Sequence, residues 1–63
     1  MSFRNPVQSL RDILDAISSI EQFTYGMDFA GFRSDTKTVA AVERKLLVIS
    51  EAAIRLGDQG PAL

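Results

Sequence analysis

The sequence predicts an all-α chain: two long amphipathic helices folded into an antiparallel hairpin with a short connecting turn. Two observations predict it. Apolar residues recur at spacings of three and four along two stretches, Val7 to Phe23 and Val39 to Leu56. Each stretch opens on residues that favour helix starts and closes on a glycine.

The first helix begins at Asn5-Pro6, a capping side chain followed by a proline whose missing N–H costs nothing at the first helical position. Val7, Leu10, Ile13, Leu14, Ile17, Ile20 and Phe23 then form its apolar stripe. Thr24-Tyr25-Gly26 closes it, and Gly26 suits a left-handed stop. At 1.5 Å per residue, roughly twenty residues give a rod about 30 Å long.

Met27 to Ser34 reads as a connector, in which Asp28 can cap a short turn of helix holding Phe29 and Phe32. Two phenylalanines three apart are expected to plug the end of the helical pair, since large aromatic groups are seldom left in water. Ser34 or Asp35 then caps the second long helix. Its seam, Val39, Val42, Leu46, Ile49, Ala53 and Leu56, alternates spacings of three and four without a break. Gly57 is expected to end the helix, and Gly60-Pro61 lies beyond it. The expected organisation is one helical domain over residues 1–57 and a disordered tail over 58–63.

The second helix is apolar on more than its seam. Leu47 and Ile54 lie on another side with Ala40, and Ala41, Val48 and Ala52 on a third. The polar residues gather mainly in one stripe, Arg44, Glu51 and Arg55, with Lys45 elsewhere. A helix apolar on most sides is normally buried among several neighbours. One partner helix cannot cover it all, so the sequence calls for further helices, from a second copy or from sequence beyond these residues.

Composition narrows the chemistry. A chain of 63 residues is one domain at most and buries only about 60% of the surface its unfolded form exposes, so its stability is marginal alone. With no cysteine and no histidine there is no disulfide, no imidazole base, no catalytic triad and no histidine metal site. No cofactor is implied, because no glycine-rich phosphate loop is present. The net charge is −1, with both signs scattered, which does not resemble a basic nucleic-acid footprint. No uninterrupted apolar run exceeds four residues, Leu46 to Ile49 for example, and no signal peptide is apparent; a cytoplasmic protein is expected.

Three polar features carry open readings. Asp12 and Asp15 could share a metal ion, or form the solvated face of the first helix beside Arg11; the second is expected. Arg44, Glu51 and Arg55 line one face of the second helix, with Glu51 and Arg55 spaced as an i,i+4 ion pair worth a few tenths of a kcal/mol. That stripe is either a solvated face with one salt bridge or the lining of a cleft against another helix. Glu21 falls inside the apolar arc of the first helix, at an edge or paired with a basic residue across the hairpin.

The residues together resemble a family. Arg11-Asp12-Ile13-Leu14-Asp15-Ala16-Ile17, then Ile20, Phe23, Thr24, Met27-Asp28-Phe29 and Phe32, resemble the N-terminal half of the HepT-like branch of the HEPN superfamily. Asp35 to Thr38, Ala41-Val42, Arg44-Lys45-Leu46, Ile49-Ser50-Glu51-Ala52-Ala53 and Arg55-Leu56 agree with it. Family members read Arg-Asn-Leu and Ile-Gly-Glu-Ala there, so Lys45 and Ser50 are departures. The similarity spans about residues 8 to 56.

The resemblance implies an all-helical bundle that dimerises, of which this chain would be a truncated hairpin. It implies ribonuclease toxins of toxin–antitoxin systems, with a minimal nucleotidyltransferase as antitoxin and RNA as the target of the full-length protein. Catalysis in the family uses an Arg-x4-His-x-Tyr motif on a later helix, assembled across the dimer. No residue here matches it: histidine is absent, and Tyr25, the one tyrosine, sits at the end of the first helix. No catalytic, cofactor or metal residue therefore carries over, and the chain alone is expected not to cleave RNA. Two other expectations compete. One is a helical oligomerisation or partner-binding module with no enzymatic role. The other is a membrane-surface peptide, which the Asp, Ser and Gln on the first helix's polar face disfavour.

Overall fold

The computed structural model describes residues 5–59 as three helices in a rod of 43 × 18 × 16 Å: α1 (Pro6–Thr24), α2 (Phe29–Ser34) and α3 (Thr36–Gln59). No strand occurs among the described residues. The long helices α1 and α3 run antiparallel against each other, and α2 leans on α3.

Local chemistry sets the boundaries. Asn5 has an extended backbone and its side chain accepts the Val7 N–H at 2.9 Å, with Pro6 opening the helix. At the far end Gly26 takes φ 77°, a left-handed conformation in which a side chain would be strained. The Met27 N–H then closes on the Thr24 carbonyl at 2.9 Å. Asp28 caps α2 by accepting the Gly31 N–H at 2.7 Å. Asp35 is the residue that caps α3, not Ser34. Its carboxylate accepts the Thr38 N–H at 3.1 Å while its own N–H donates to the Phe32 carbonyl, so one residue ends α2 and begins α3. The Thr38 hydrogen bonds hold the Asp35 carboxyl below the usual carboxylate range.

Three expectations need correction. Gly57 does not end the second helix: α3 runs through it to Gln59, so two residues of the expected tail are helical. A glycine stops a helix only where a left-handed residue is adopted, and among the described residues Gly26 alone adopts one. Residues 60–63 lie outside the described residues. Secondly, the phenylalanines do not plug the hairpin together. Phe32 is half-buried, but Phe29 is 73% exposed and Tyr25 90%.

The third correction concerns which faces meet. The large apolar residues of α1 were expected to form its buried stripe. Instead α1 presents Ser9 and Ala16, 3% and 2% exposed, one heptad apart, with Ile13 and Ile20 half-buried beside them. On α3 the line against α1 is the row of Ala41, Lys45, Val48, Ala52 and Arg55, with Ala52 fully buried. Val39, Val42, Ile49 and Leu56 of the expected seam are half-buried at its edge, while Leu46 and Ala53 are exposed. Small residues let two helices approach closely, which increases dispersion contact along the whole backbone. The consequence is that the bulky residues stay outside. Val7, Leu10, Leu14, Ile17, Leu46, Leu47 and Ile54 are all exposed.

Candidate functional site

The hairpin has two unlike sides, and the sense of helical rotation explains them. At 3.6 residues per turn, each residue is displaced about 100° around the axis from the one before. Measured from the buried line of α1 (Ser9, Ala16), Leu10, Leu14, Ile17 and Val7 lie in one rotational sense and Asp12, Ser19 and Gln8 in the other. Measured from Ala52 on α3, Val42, Ile49, Ala53 and Leu46 lie in the first sense and Arg55, Arg44 and Glu51 in the second. Because the helices are antiparallel, rotation in the same sense reaches the same side of the hairpin. The apolar groups therefore share one side and the polar groups the other.

The polar side bears this out. Arg55 Nη2 donates to Asp12 Oδ2 at 3.0 Å across the two helices, and Gln8 Nε2 donates to Asp12 Oδ1 at 2.9 Å. This is an ion pair between groups that are each about a third exposed. Pairs of this kind contribute roughly 0.2–1 kcal/mol, but here the contact also fixes the register of α1 on α3. The sequence spacing pairs Arg55 with Glu51; the structure gives Arg55 to Asp12, and Glu51 has no ion-pair partner among the described residues. Arg55 is half-buried on the flank that borders Asp12, whereas Glu51 is exposed.

Of the predicted stripe, Arg44 and Glu51 are exposed and Arg55 is half-buried. The three stay on one flank of α3 but make no hydrogen bond with one another. Asp12, assigned from sequence to a solvated face, is instead the acceptor that ties the helices together. The signal was present in the sequence: Asp12 borders the buried line of α1 in the same rotational sense as Arg55 on α3. Asp15 is exposed, and no group of three or more Asp, Glu, His or Cys able to hold a metal ion occurs among the described residues. Glu21 is exposed and makes no cross-hairpin ion pair among the described residues; it takes the next position in the row Val7, Leu10, Leu14, Ile17. No helix among the described residues is long and apolar enough to cross a membrane.

The opposite side carries the more consequential feature. The exposed parts of Val7, Leu10, Leu14, Ile17 and Leu46 amount to roughly 500 Å² of apolar surface, as large as the largest patch a soluble monomer usually leaves in water. It runs along both helices and ends on α1 at Glu21. Chemically it can bind another apolar helical face and little else.

Fold and surface thus define an all-helical hairpin with one exposed apolar side. The family model described as Ribonuclease HepT-like matches residues 13–62, which is most of the chain. The chain belongs to the HepT-like ribonuclease family. No curated protein and no solved structure matches it.

Proposed function

We propose that this chain is the non-catalytic N-terminal hairpin of a HepT-like ribonuclease of a cytoplasmic toxin–antitoxin system, and that it works as a homodimer. The observation that carries the dimer is the apolar side lined by Val7, Leu10, Leu14, Ile17 and Leu46. Its roughly 500 Å² is more than half of the 800 Å² per partner in a standard stable interface. A second hairpin laid on it would turn two half-covered helix pairs into a four-helix bundle with a common core.

The chemistry argues against cleavage by this chain alone. RNA hydrolysis in the family depends on the histidine and tyrosine of an Arg-x4-His-x-Tyr motif, and these 63 residues contain no histidine. No group here has the imidazole's ability to take and return a proton near neutral pH. Arg44, Glu51 and Arg55 supply charge without that capacity. RNA is accordingly the substrate of the family's complete fold, and a minimal nucleotidyltransferase antitoxin the partner of the dimer.

The purified 63-residue chain incubated with single-stranded and structured RNA tests the catalytic half of this reading. No cleavage above buffer is expected. Cleavage that disappears in Arg44→Ala or Glu51→Ala would overturn it. Co-purification with a nucleotidyltransferase encoded beside it tests the partner, and failure to co-purify counts against the toxin-system assignment while favouring a plain oligomerisation module.

A further inference from the structure

The apolar side of the hairpin carries opposite charges toward its two ends. On α1, Val7, Leu10, Leu14, Ile17 and Glu21 alternate spacings of three and four, so a carboxylate takes the last position of an otherwise apolar row. Glu21 lies toward the turn. Glu43 lies toward it too, because Asp12 stands beside Arg55 and each step forward on α1 meets a step back on α3. Rotation by about 100° per residue places Glu43 on the outer margin of this same side. Toward the open end the row is bordered by Arg11, just past Val7 around α1.

No other charge on the two long helices borders this side among the described residues. Lys37, Arg44, Glu51 and Asp58 share the opposite flank of α3 with Arg55, and Asp12 and Asp15 lie on the corresponding flank of α1. Lys45 is half-buried on the line against α1. Glu21, Glu43 and Arg11 are all exposed, and none has an ion-pair partner among the described residues. Arg33, on α2 near the turn, pairs with neither carboxylate. The side is therefore acidic toward the turn and basic toward the open end, where the positive N-terminus of α1 adds to Arg11.

From this we infer that the second copy lies reversed on the apolar side, turn against open end, with Glu21 of each copy answered by Arg11 of the other. The inference rests on the homodimer proposed above and adds its orientation and its polar contact. Two-fold symmetry offers two ways to lay these faces together. With both turns at one end, α1 of each copy faces α3 of the other. Glu21 and Glu43 of both copies then gather in one place, and like charges so placed cost binding energy. With the second copy reversed, α1 faces α1. Rows centred on Leu14 set Glu21 opposite Val7 of the second copy, at the positive opening of its helix. Arg11 of that copy stands four residues on, about 6 Å along the axis, a span that an arginine and a glutamate side chain cross together. Symmetry forms the contact twice.

The chain has no cysteine, so Tyr25→Cys, at a 90% exposed position beside the turn, carries one nitroxide label per copy. Tyr25 lies eleven residues beyond Leu14, about 16 Å along the rod. Double electron–electron resonance on the full chain should therefore read roughly 30–40 Å between labels in reversed copies, against about 10–20 Å with the turns side by side. In sedimentation equilibrium Glu21→Arg and Arg11→Glu should each weaken the dimer by about tenfold or more. Both changes in one chain should restore it to within about threefold of the parent, which shows that the single changes act on the contact and not on the fold. With the turns together, Glu21→Arg would instead meet Glu43 and tighten the dimer. A dimer with the short distance, or one that Glu21→Arg tightens, overturns the orientation and leaves the homodimer standing. A double variant no better than the single ones overturns the contact between Glu21 and Arg11. A chain that stays monomeric at every concentration removes the homodimer itself, and this inference with it.

Discussion

Replacing Ala52 by leucine should cost this protein a large share of its stability, although the change adds apolar surface to a helix. Ala52 is fully buried and sits on the line where α3 meets α1, a line otherwise made close by Ala41, Ser9 and Ala16. Three extra carbons there have no cavity to enter, so the helices must separate or the side chain must leave its rotamer. Overpacking of this kind costs about 1–3 kcal/mol. A folded chain of this length holds on the order of 3–9 kcal/mol in total. At roughly 4–8 °C per kcal/mol for a domain of this size, the melting temperature should fall by about 5–20 °C. Circular dichroism at 222 nm, followed on heating at one fixed concentration, reads the effect. Ala40→Leu is the control: the same substitution on the same helix at an exposed position should stay within about 0.5 kcal/mol of the parent. If Ala52→Leu melts at or above the parent, the two helices do not meet through small residues and the assignment of buried faces is wrong.

Three further outcomes follow from single contacts. Gly57 lies inside α3 with open space where a Cβ would stand, so Gly57→Ala should raise stability by about 0.5–1 kcal/mol in a thermal melt; a loss would mean that the helix stops there after all. A double-mutant cycle on Asp12→Ala and Arg55→Ala should return a coupling of about 0.2–1 kcal/mol, whereas a cycle on Glu51→Ala and Arg55→Ala should return none; the reverse result would restore the intrahelical pair. Asp35 has its folded-state pKa depressed, first by the Thr38 N–H, so its carboxylate stabilises the fold above the unfolded value of about 3.9. That contribution is lost as pH falls through the lower folded value. Asp35→Asn should therefore melt earlier than the parent at pH 6, with the gap narrowing in strong acid; a gap independent of pH would count against the cap.

The ends of the helices were legible because they depend on neighbours in sequence. Asn5-Pro6, Gly26, Asp28 and Asp35 each act through the backbone within four residues, and all four perform the roles their chemistry foretells. The choice of buried face was not legible, since it depends on a helix far along the chain. Apolar patterning selects the largest side chains, and it selected Leu10, Leu14 and Leu46. Close approach instead rewards the smallest, and Ser9, Ala16 and Ala52 fill the contact. The bulky groups form one exposed apolar side, and four of its five residues lie on α1, whereas the sequence pattern placed the excess of apolar surface on the second long helix. Gly57 misled for a related reason. Glycine permits a left-handed stop but does not impose one, and a helix continues through it when the following residues supply hydrogen bonds. The Asp12–Arg55 pair was hidden because a nearer partner, Glu51, satisfied the local rule. Spacing along one helix ranks partners by sequence, whereas the fold ranks them by which side of the hairpin they share.

Sedimentation equilibrium over a wide concentration range tests most directly the claim that this hairpin is completed by a second copy on its apolar side. The parent chain should sediment as twice its mass and dissociate with loss of helicity on dilution. Leu10→Lys with Leu14→Lys should sediment as one chain at every concentration. A parent that remains a fully helical monomer at all concentrations would contradict the account.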